Sequence, residues 1–306
     1  MRVIHDTQAI TEQGVMATIG FFDGVHLGHR FLIDEVKAAA AERGLPAAVI
    51  TFPTHPRSVL QQAYQPRLLN SFEDKLRLLA TTGVDYCIVL DFTKALSQLS
   101  AEAFLQILAT EWKVKGLVIG YDHRFGHDRQ DGFEEYVQYG KRWGIEVLKA
   151  APFDAGHTAV SSSEIRHLLQ EGQVEQAAQL LTYAYHLSGR IVSGYKVGRT
   201  LGFPTANIRP DDPQQLLPGI GVYAVWVEVA GERHKGMLYI GSRPTLDNGS
   251  QVSIEVHILH FSGDIYDDPI RVTFVHFVRG DVKFDSLEAL KAQLMHDQEV
   301  VDQLLN

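Results

Sequence analysis

The sequence predicts two domains: a doubly wound α/β domain with a parallel sheet, then a small antiparallel β-barrel domain with a C-terminal helix. Up to about residue 150, short apolar segments alternate with helical patterns, which is typical of βαβ units. From about Tyr185, strand-like segments dominate and turn clusters separate them, which favours a barrel. The length of 306 residues also exceeds that of one typical domain. We place the domains at residues 1–182 and 183–306.

The elements of the first domain follow one another without long interruptions. Strands are predicted at 15–19, 47–52, 86–90, 116–119 and 145–148, and helices at 29–43, 71–79, 100–112 and 132–143. Ser71 is the expected N-cap of its helix, with Asp74 three residues later. Because these strands are apolar on both sides, helices must cover both faces of the sheet. Ligands of such sheets bind beyond the carboxyl ends of the strands.

The second domain begins after a helical connector at 171–185. Its strands are predicted at 186–192, 222–229, 236–240, 253–261 and 270–278. A final amphipathic helix at 286–305 has leucines and a valine at helical spacing, so it is expected to pack on the barrel.

Composition and charge exclude several classes of protein. The net charge of −9 argues against broad binding of nucleic acid. The single cysteine, Cys87, lies in an apolar segment and is expected to be a buried thiol, as in a reducing compartment. We find no signal-peptide pattern and no apolar segment long enough to span a membrane. The sequence therefore predicts a cytoplasmic protein without a membrane or nucleic-acid partner, and leaves the oligomeric state open.

A glycine-rich turn between the first strand and its helix is the strongest functional signal. Residues 18–30 contain Gly20, Gly24 and Gly28, together with His26 and His29. A strand that turns into a helix N-terminus presents free backbone N–H groups and a positive dipole end, which favours binding of phosphate. The alternative is an ordinary βα turn with two histidines on the surface.

Three further polar segments are expected at the same edge of the sheet. They cover residues 51–56, 120–126 and 160–166, and each follows a predicted strand. The last opens a helix with Ser161 and Ser162 and carries Arg166, which suits phosphate oxygens. An ordinary serine cap with a solvated arginine is the alternative for that segment. The convergence of four such segments favours a phosphate site.

Two segments of the second domain offer oxygen ligands. The turn at 198–207 contains two glycines, and its Thr205 and Asn207 supply neutral oxygens that suit Mg²⁺. A loop whose polar side chains bond to their own backbone is the alternative. Glu255 lies in an apolar strand, where a carboxylate faces solvent or, at a barrel mouth, takes a proton from a substrate hydroxyl.

Taken together, these segments resemble the bacterial bifunctional riboflavin kinase/FAD synthetases over essentially the whole chain. The first half resembles their adenylyltransferase domain in the segments Gly-x-Phe-Asp-Gly-Val-His-Leu-Gly-His, Thr-Phe-x-x-His-Pro, Gly-x-Asp-x-Arg-Phe-Gly and Ser-Ser-x-x-Ile-Arg. The second half resembles their kinase domain in Gly-Arg-x-Leu-Gly-Phe-Pro-Thr-Ala-Asn, Ile-Gly-Ser-Arg-Pro-Thr and Glu-Val-His. Phe21 departs from the family, which usually has Asn there.

The resemblance implies a fold, two activities and a set of site residues. The first domain would be a Rossmann-like nucleotidyltransferase that adenylylates FMN to FAD, and the second would phosphorylate riboflavin to FMN. ATP is the co-substrate of both, with Mg²⁺ as the metal. The implied catalytic residues are His26, His29 and Glu255. The residues that the resemblance implies for binding of ATP and phosphate in the first domain are Gly20, Phe21, Asp23, Gly24, His26, His29, Ser161, Ser162 and Arg166. The residues implied for binding of the flavin in the first domain are His55, Asp122, Arg124 and Phe125. The kinase site is assigned to Gly198, Gly202, Pro204, Thr205 and Asn207, with Thr205 and Asn207 holding Mg²⁺.

Two rival functions have weaker support in the sequence. A metal hydrolase could use the pairs His26/His29 and His123/His127, but no motif supplies a carboxylate at zinc spacing. A flavin- or nucleotide-binding regulator would keep the fold without turnover, and it would not require the histidine pair or Glu255.

Overall fold

The computed structural model describes residues 1–7, 10, 12–61, 65–120, 125–126, 132–153, 160–193, 202–244 and 250–306. The chain divides into two compact units, Met1–Ser161 and Ser162–Asn306. The functional boundary that we predict at 182/183 lies further along the chain, and it stays a prediction.

The first unit contains a parallel six-stranded sheet in the order β1-β4-β3-β2-β5-β6. Its strands are β1 (Arg2–Ile4), β2 (Val15–Ile19), β3 (Ala47–Thr51), β4 (Tyr86–Val89), β5 (Val114–Ile119) and β6 (Glu146–Lys149). β2 and β3 are buried along their whole length, as expected for strands covered on both faces. The predicted doubly wound sheet is confirmed. The sequence analysis missed β1, which has three residues and is ordered by pairing with the distant β4.

Helices pack on both faces of this sheet. They are α1 (Leu27–Glu42), α2 (Pro56–Leu60), α3 (Phe72–Ala80), α4 (Lys94–Ser97), α5 (Ala101–Thr110) and α6 (Phe133–Trp143). α1 and α3 bury apolar side chains against one face, and α5 and α6 against the other. From β2 the chain moves outward to β3 and β4, and it later returns to β5 on the other side of β2. The carboxyl end of β2 therefore lies at the point where the strand order reverses, which is where such folds bind ligands.

The second unit begins with α7 (Ser162–Gln170) and α8 (Val174–Leu181) and continues into a closed barrel. The barrel strands are β7 (His186–Val192), β8 (Ala206–Pro210), β9 (Gly221–Val229), β10 (Glu232–Pro244), β11 (Ser250–Ile258) and β12 (Pro269–Arg279), and α9 (Leu287–Leu304) follows them. Every adjacent pair of strands is antiparallel, so the predicted barrel with its C-terminal helix is confirmed. β8 was not predicted, because its residues had been interpreted as the end of a loop.

Alternation along β11 decides which side chains face the barrel interior. Ile254 and Val256 are buried and lie opposite Ile240 and Leu238 of β10. Successive side chains of a strand point to opposite faces, so Glu255 lies on the outer face of the barrel wall. The sequence pattern had left open both a solvent-facing position and one at a barrel mouth.

The only cysteine behaves as expected. Cys87 is buried in β4, and burial raises the pKa of its thiol to about 12. Among the described residues, no helix combines the length and apolar character that a membrane crossing requires.

Candidate active sites

The turn after β2 has a backbone that few sequences adopt. Phe22, Gly24 and Val25 have φ values of 55°, 82° and 39°. A β-branched residue at positive φ is strained, and such strain persists only where surrounding packing fixes the chain. The side chains of Phe22 and Val25 are buried and supply that packing. Together they direct the chain from β2 into the N-terminus of α1.

The two histidines of this turn lie against each other. His26 is the N-cap of α1, and its Nδ1 accepts a hydrogen bond of 3.3 Å from the backbone N–H of His29. The two imidazole rings stack with centroids 3.6 Å apart and an interplanar angle of 16°. Phe22 contacts the His29 ring edge-on at 5.2 Å. His29 Nδ1 is a buried nitrogen without a hydrogen-bond partner among the described residues.

The charge state of His29 follows from this environment. Burial lowers the pKa of His29 well below its ordinary value of 6.5, and the charges of His26 and Lys75 lower it further. His29 is therefore neutral at neutral pH in the ligand-free protein, and one of its ring nitrogens is a donor. His26 Nδ1 is an acceptor, so neutral His26 carries its proton on Nε2.

The structure places Asp23, which we had assigned to ATP binding, in contact with another loop. Its Oδ1 accepts a hydrogen bond of 2.9 Å from the backbone N–H of Leu69, and the carboxylate is 5% exposed. Asp23 thus fixes the turn to the segment before α3. A direct role of Asp23 in binding ATP stays a prediction.

The sequence analysis missed Lys75, which lies beneath the same turn. Lys75 is 3% exposed, and its Nζ donates to the carbonyl oxygens of Phe21 at 3.0 Å and Phe52 at 2.8 Å. Burial lowers its pKa to about 8, while the charge of Asp23 opposes that shift. Helical periodicity offered a signal, because Lys75 shares the buried face of α3 with Phe72 and Leu79.

The turn after β3 brings a third histidine to this site. His55 caps α2, and its Nδ1 accepts a hydrogen bond of 3.1 Å from the backbone N–H of Arg57. Its ring contacts Phe21 at a centroid distance of 4.6 Å. The ring of Phe125 is stacked on Tyr136 at a centroid distance of 4.3 Å. The flavin assignments of His55 and Phe125 stay predictions, and those of Asp122 and Arg124 lie outside the described residues.

The predicted serine–arginine segment falls at the division between the units. Ser161 ends the first unit, and Ser162 begins α7, the first helix of the second. Arg166 lies one turn further along α7. The helix begins where we predicted, and the binding of ATP by these three residues stays a prediction.

The barrel carries a second polar cluster on its outer face. Thr205 Oγ1 donates a hydrogen bond of 3.2 Å to Glu255 Oε2. Asn207 of β8 and Tyr239 of β10 lie directly opposite Glu255 in the strand pairing. The residues that we predicted to hold Mg²⁺ and to act as base therefore lie side by side. Hydroxyl, amide and carboxylate oxygens are donors that Mg²⁺ accepts, so this set fits the metal.

His257 positions the segment that carries Thr205, a role the sequence analysis did not assign. Its Nδ1 lies 2.8 Å from the carbonyl oxygen of Pro204, and because a carbonyl only accepts, Nδ1 carries the proton. Phe203 packs edge-on against the His257 ring at 5.3 Å. Gly202 precedes them with a φ of 87°, a conformation that favours glycine. Gly198 lies outside the described residues.

The rival interpretation as a metal hydrolase finds no ligand set in the described part of the chain. There, no group of three or more His, Cys, Asp or Glu side chains could hold a metal ion. His123 and His127 lie outside that part.

Comparison with known proteins assigns the chain to a family. A family model described as FAD synthetase matches residues 8–164, and one described as riboflavin kinase matches residues 181–305. A bifunctional riboflavin kinase/FMN adenylyltransferase from Listeria monocytogenes is 38% identical over 96% of this chain and 93% of its own length. The chain belongs to the bifunctional riboflavin kinase/FMN adenylyltransferase family. The resemblance inferred from the motifs is thereby confirmed.

A second family member and a solved structure also match this chain over nearly its full length. The bifunctional riboflavin kinase/FMN adenylyltransferase of Haemophilus influenzae is 37% identical, covering 100% of this chain and 99% of its own. A crystal structure from Streptococcus pneumoniae, named as a macrolide-efflux protein, has a TM-score of 0.87 and 31% identity, with 98% of each chain covered. The fold described above for this member of the riboflavin kinase/FMN adenylyltransferase family therefore has an experimental counterpart in that crystal structure.

Proposed function

We propose that this chain makes FAD from riboflavin in two ATP-dependent transfers. The riboflavin kinase region phosphorylates riboflavin to FMN, and the FAD synthetase region transfers AMP from ATP to FMN. The observation that carries the proposal is the match of two family models to successive stretches of one chain. Each stretch also contains a polar cluster with the chemistry its reaction needs. We propose residues 1–182 and 183–306 as the functional domains.

In the adenylyl transfer, a phosphate oxygen of FMN attacks the α-phosphorus of ATP. The new P–O bond forms as the bond to pyrophosphate breaks, so no covalent enzyme intermediate is needed. Backbone N–H groups at the start of α1 and the N–H groups of His26 and His29 stabilise charge on the phosphate oxygens. The negative charge of ATP raises the pKa of His29, and the site therefore takes up a proton when ATP binds. We also propose that Ser161, Ser162 and Arg166 bind phosphate oxygens, and that His55 and Phe125 contact the flavin.

In the kinase reaction, Glu255 accepts the proton of the ribityl 5′-hydroxyl as that oxygen attacks the γ-phosphorus of ATP, and ADP leaves as its bond to that phosphorus breaks. The hydrogen bond from Thr205 holds the carboxylate in one orientation. Thr205 and Asn207 are the proposed Mg²⁺ ligands, and Mg²⁺ bound there would neutralise phosphate charge. His257 keeps the segment 203–205 against β11, so the Thr205 hydroxyl stays beside the Glu255 carboxylate. We propose the cytoplasm as the location of both reactions, since a single cysteine fits a reducing compartment.

A single assay tests this function. The protein is incubated with riboflavin and Mg-ATP, and the flavins are separated by chromatography over time. We expect FMN to appear first and FAD to follow, and supplied FMN to give FAD with release of pyrophosphate. Flavin that binds but stays riboflavin would support the regulator instead.

A further inference from the structure

Among the described residues of the first unit, Lys75 is a buried cation that the proposed reaction does not use. Its ammonium lies between two turns, with hydrogen bonds to the carbonyl oxygen of Phe21 after β2 and that of Phe52 after β3. The first turn leads to His26 and His29, and the second leads to His55. One side chain therefore connects the two segments that carry the histidines of the site.

Phe21 adds a further contact to the Lys75 ammonium. The Lys75 ammonium lies 3.9 Å from the centroid of the Phe21 ring, and His55 contacts the same ring at 4.6 Å. A cation over an aromatic face is stabilised most where water is excluded, as it is at the buried Lys75. The Phe21 ring thereby joins Lys75 to His55.

We propose that Lys75 is a positioning residue of the adenylyltransferase site, which ties the turn after β2 to the turn after β3 and places a fixed positive charge behind the histidine pair. This deepens the proposed function and rests on it. A 1 Å displacement of a phosphate-binding turn costs such a reaction on the order of 10²-fold in rate. Two bonds from one rigid buried donor prevent that displacement.

The charged groups around Lys75 come from each element packed on it. Asp23 faces it from the turn before α1 and favours the cation, and Cys87 faces it from β4 as a neutral thiol. From α1, the charge of Lys75 contributes to the lowered pKa of His29. On α3 itself, Asp74 is engaged by Ser71 and Arg77. With its pKa at about 8, Lys75 loses its charge under mildly alkaline conditions.

The test compares Lys75→Met and Lys75→Arg with the matched control Arg77→Met. Arg77 is a cation on the same helix, but its side chain is exposed. We expect FAD synthesis by Lys75→Met to fall about 10²-fold while riboflavin kinase activity stays at the control level. FAD synthesis by the wild-type protein should decline above about pH 8. Lys75→Arg should lose that decline, because a guanidinium stays charged.

A second measurement does not depend on activity. The titration of His29, followed by NMR of its imidazole protons, should move to higher pH in Lys75→Met than in Arg77→Met. The proposal is overturned if Lys75→Met makes FAD at the control rate, or if Lys75→Arg keeps the decline above pH 8. It is also overturned if the His29 titration does not move. If Lys75→Met does not fold, the pH profile of Lys75→Arg decides. Wild-type protein that makes no FAD at all contradicts the proposed function, whereas the His29 titration still tests Lys75.

Discussion

The imidazole rings of His26 and His29 lie stacked 3.6 Å apart, and the backbone N–H of His29 donates to the His26 ring. This arrangement gives the two histidines different duties. The His26 side chain caps the N-terminus of α1 by accepting this backbone hydrogen bond. The His29 side chain takes no part in capping the helix. Mutations of the two should therefore separate stability from catalysis.

His29→Ala should lower FAD synthesis by about 10²–10³-fold, the usual cost of losing one donor to transition-state charge. Its backbone N–H still reaches His26, so the thermal unfolding midpoint should stay near wild type. His26→Ala should lose FAD synthesis and also about 1 kcal/mol of stability, because the cap is removed. Chromatography of flavins and calorimetric melting measure the two effects.

His26→Asn is the matched control for the cap, because Asn is a good N-cap residue. It should recover the stability of His26→Ala without recovering FAD synthesis. FMN formation from riboflavin should be unchanged in all three variants. Equal loss of both products would point to a folding defect and contradict the separation of duties.

ATP binding should be coupled to protonation of His29. The pKa of His29 is well below 6.5 in the ligand-free protein, and nearby phosphates raise it, so binding near pH 6.5 takes up a proton. Titration calorimetry in buffers of different ionisation enthalpy measures this uptake. His29→Ala should show a smaller uptake, and an identical value in both proteins would contradict the assignment.

The same lowered pKa fixes the sign of a stability effect. Below pH 6.5 the unfolded chain protonates His29 while the folded protein does not, so the free energy of unfolding falls with falling pH. Above pH 6.5 His29 is neutral in both states, so this loss of stability is absent. Between pH 6.5 and 5, the free energy of unfolding should fall less in His29→Ala than in the wild-type protein.

The sequence predicted those features that depend on local pattern. The buried strands β2 and β3 and the Ser71 cap of α3 are encoded within a few residues, and the histidine pair lies in one motif. β8 escaped prediction because its residues are ordered by pairing with β7 and β11, both distant in sequence. Lys75 and His257 escaped for the same reason. Their partners Phe21 and Pro204 lie 54 and 53 residues away in the chain.

Glu255→Gln should lower riboflavin kinase turnover by about 10²–10⁴-fold, the usual contribution of a general base. The amide keeps the volume of the carboxylate and an oxygen for the Thr205 hydroxyl, but it does not take up the substrate proton. Steady-state assays with riboflavin measure the loss, and supplied FMN should still give FAD. Glu228→Gln is the matched control, since Glu228 is exposed on β9 of the same barrel. A kinase rate equal to that of this control would remove Glu255 from the catalytic residues.

Thr205→Val tests the hydrogen bond to Glu255 separately. If Thr205 acted only by orienting Glu255, the double variant Thr205→Val/Glu255→Gln would be as slow as Glu255→Gln alone. Because we also propose Thr205 as a Mg²⁺ ligand, the double variant should be slower than Glu255→Gln alone. It should also need a higher concentration of Mg²⁺ to reach its half-maximal rate. Thr205→Ser keeps the hydroxyl and should stay close to wild type in both respects.

The second unit should phosphorylate riboflavin by itself, and its two leading helices should stabilise it. Glu175 of α8 contacts the His276 ring at 3.0 Å and accepts a bond of 3.2 Å from Phe277 N–H, while Leu169 of α7 accepts one from Gly219 N–H. A fragment of residues 183–306 lacks these contacts, each worth about 1 kcal/mol. Residues 162–306 should therefore unfold at a higher urea concentration than 183–306, although both make FMN. Neither fragment should make FAD, and FAD from either one would overturn the assignment of the adenylyltransferase to the first domain.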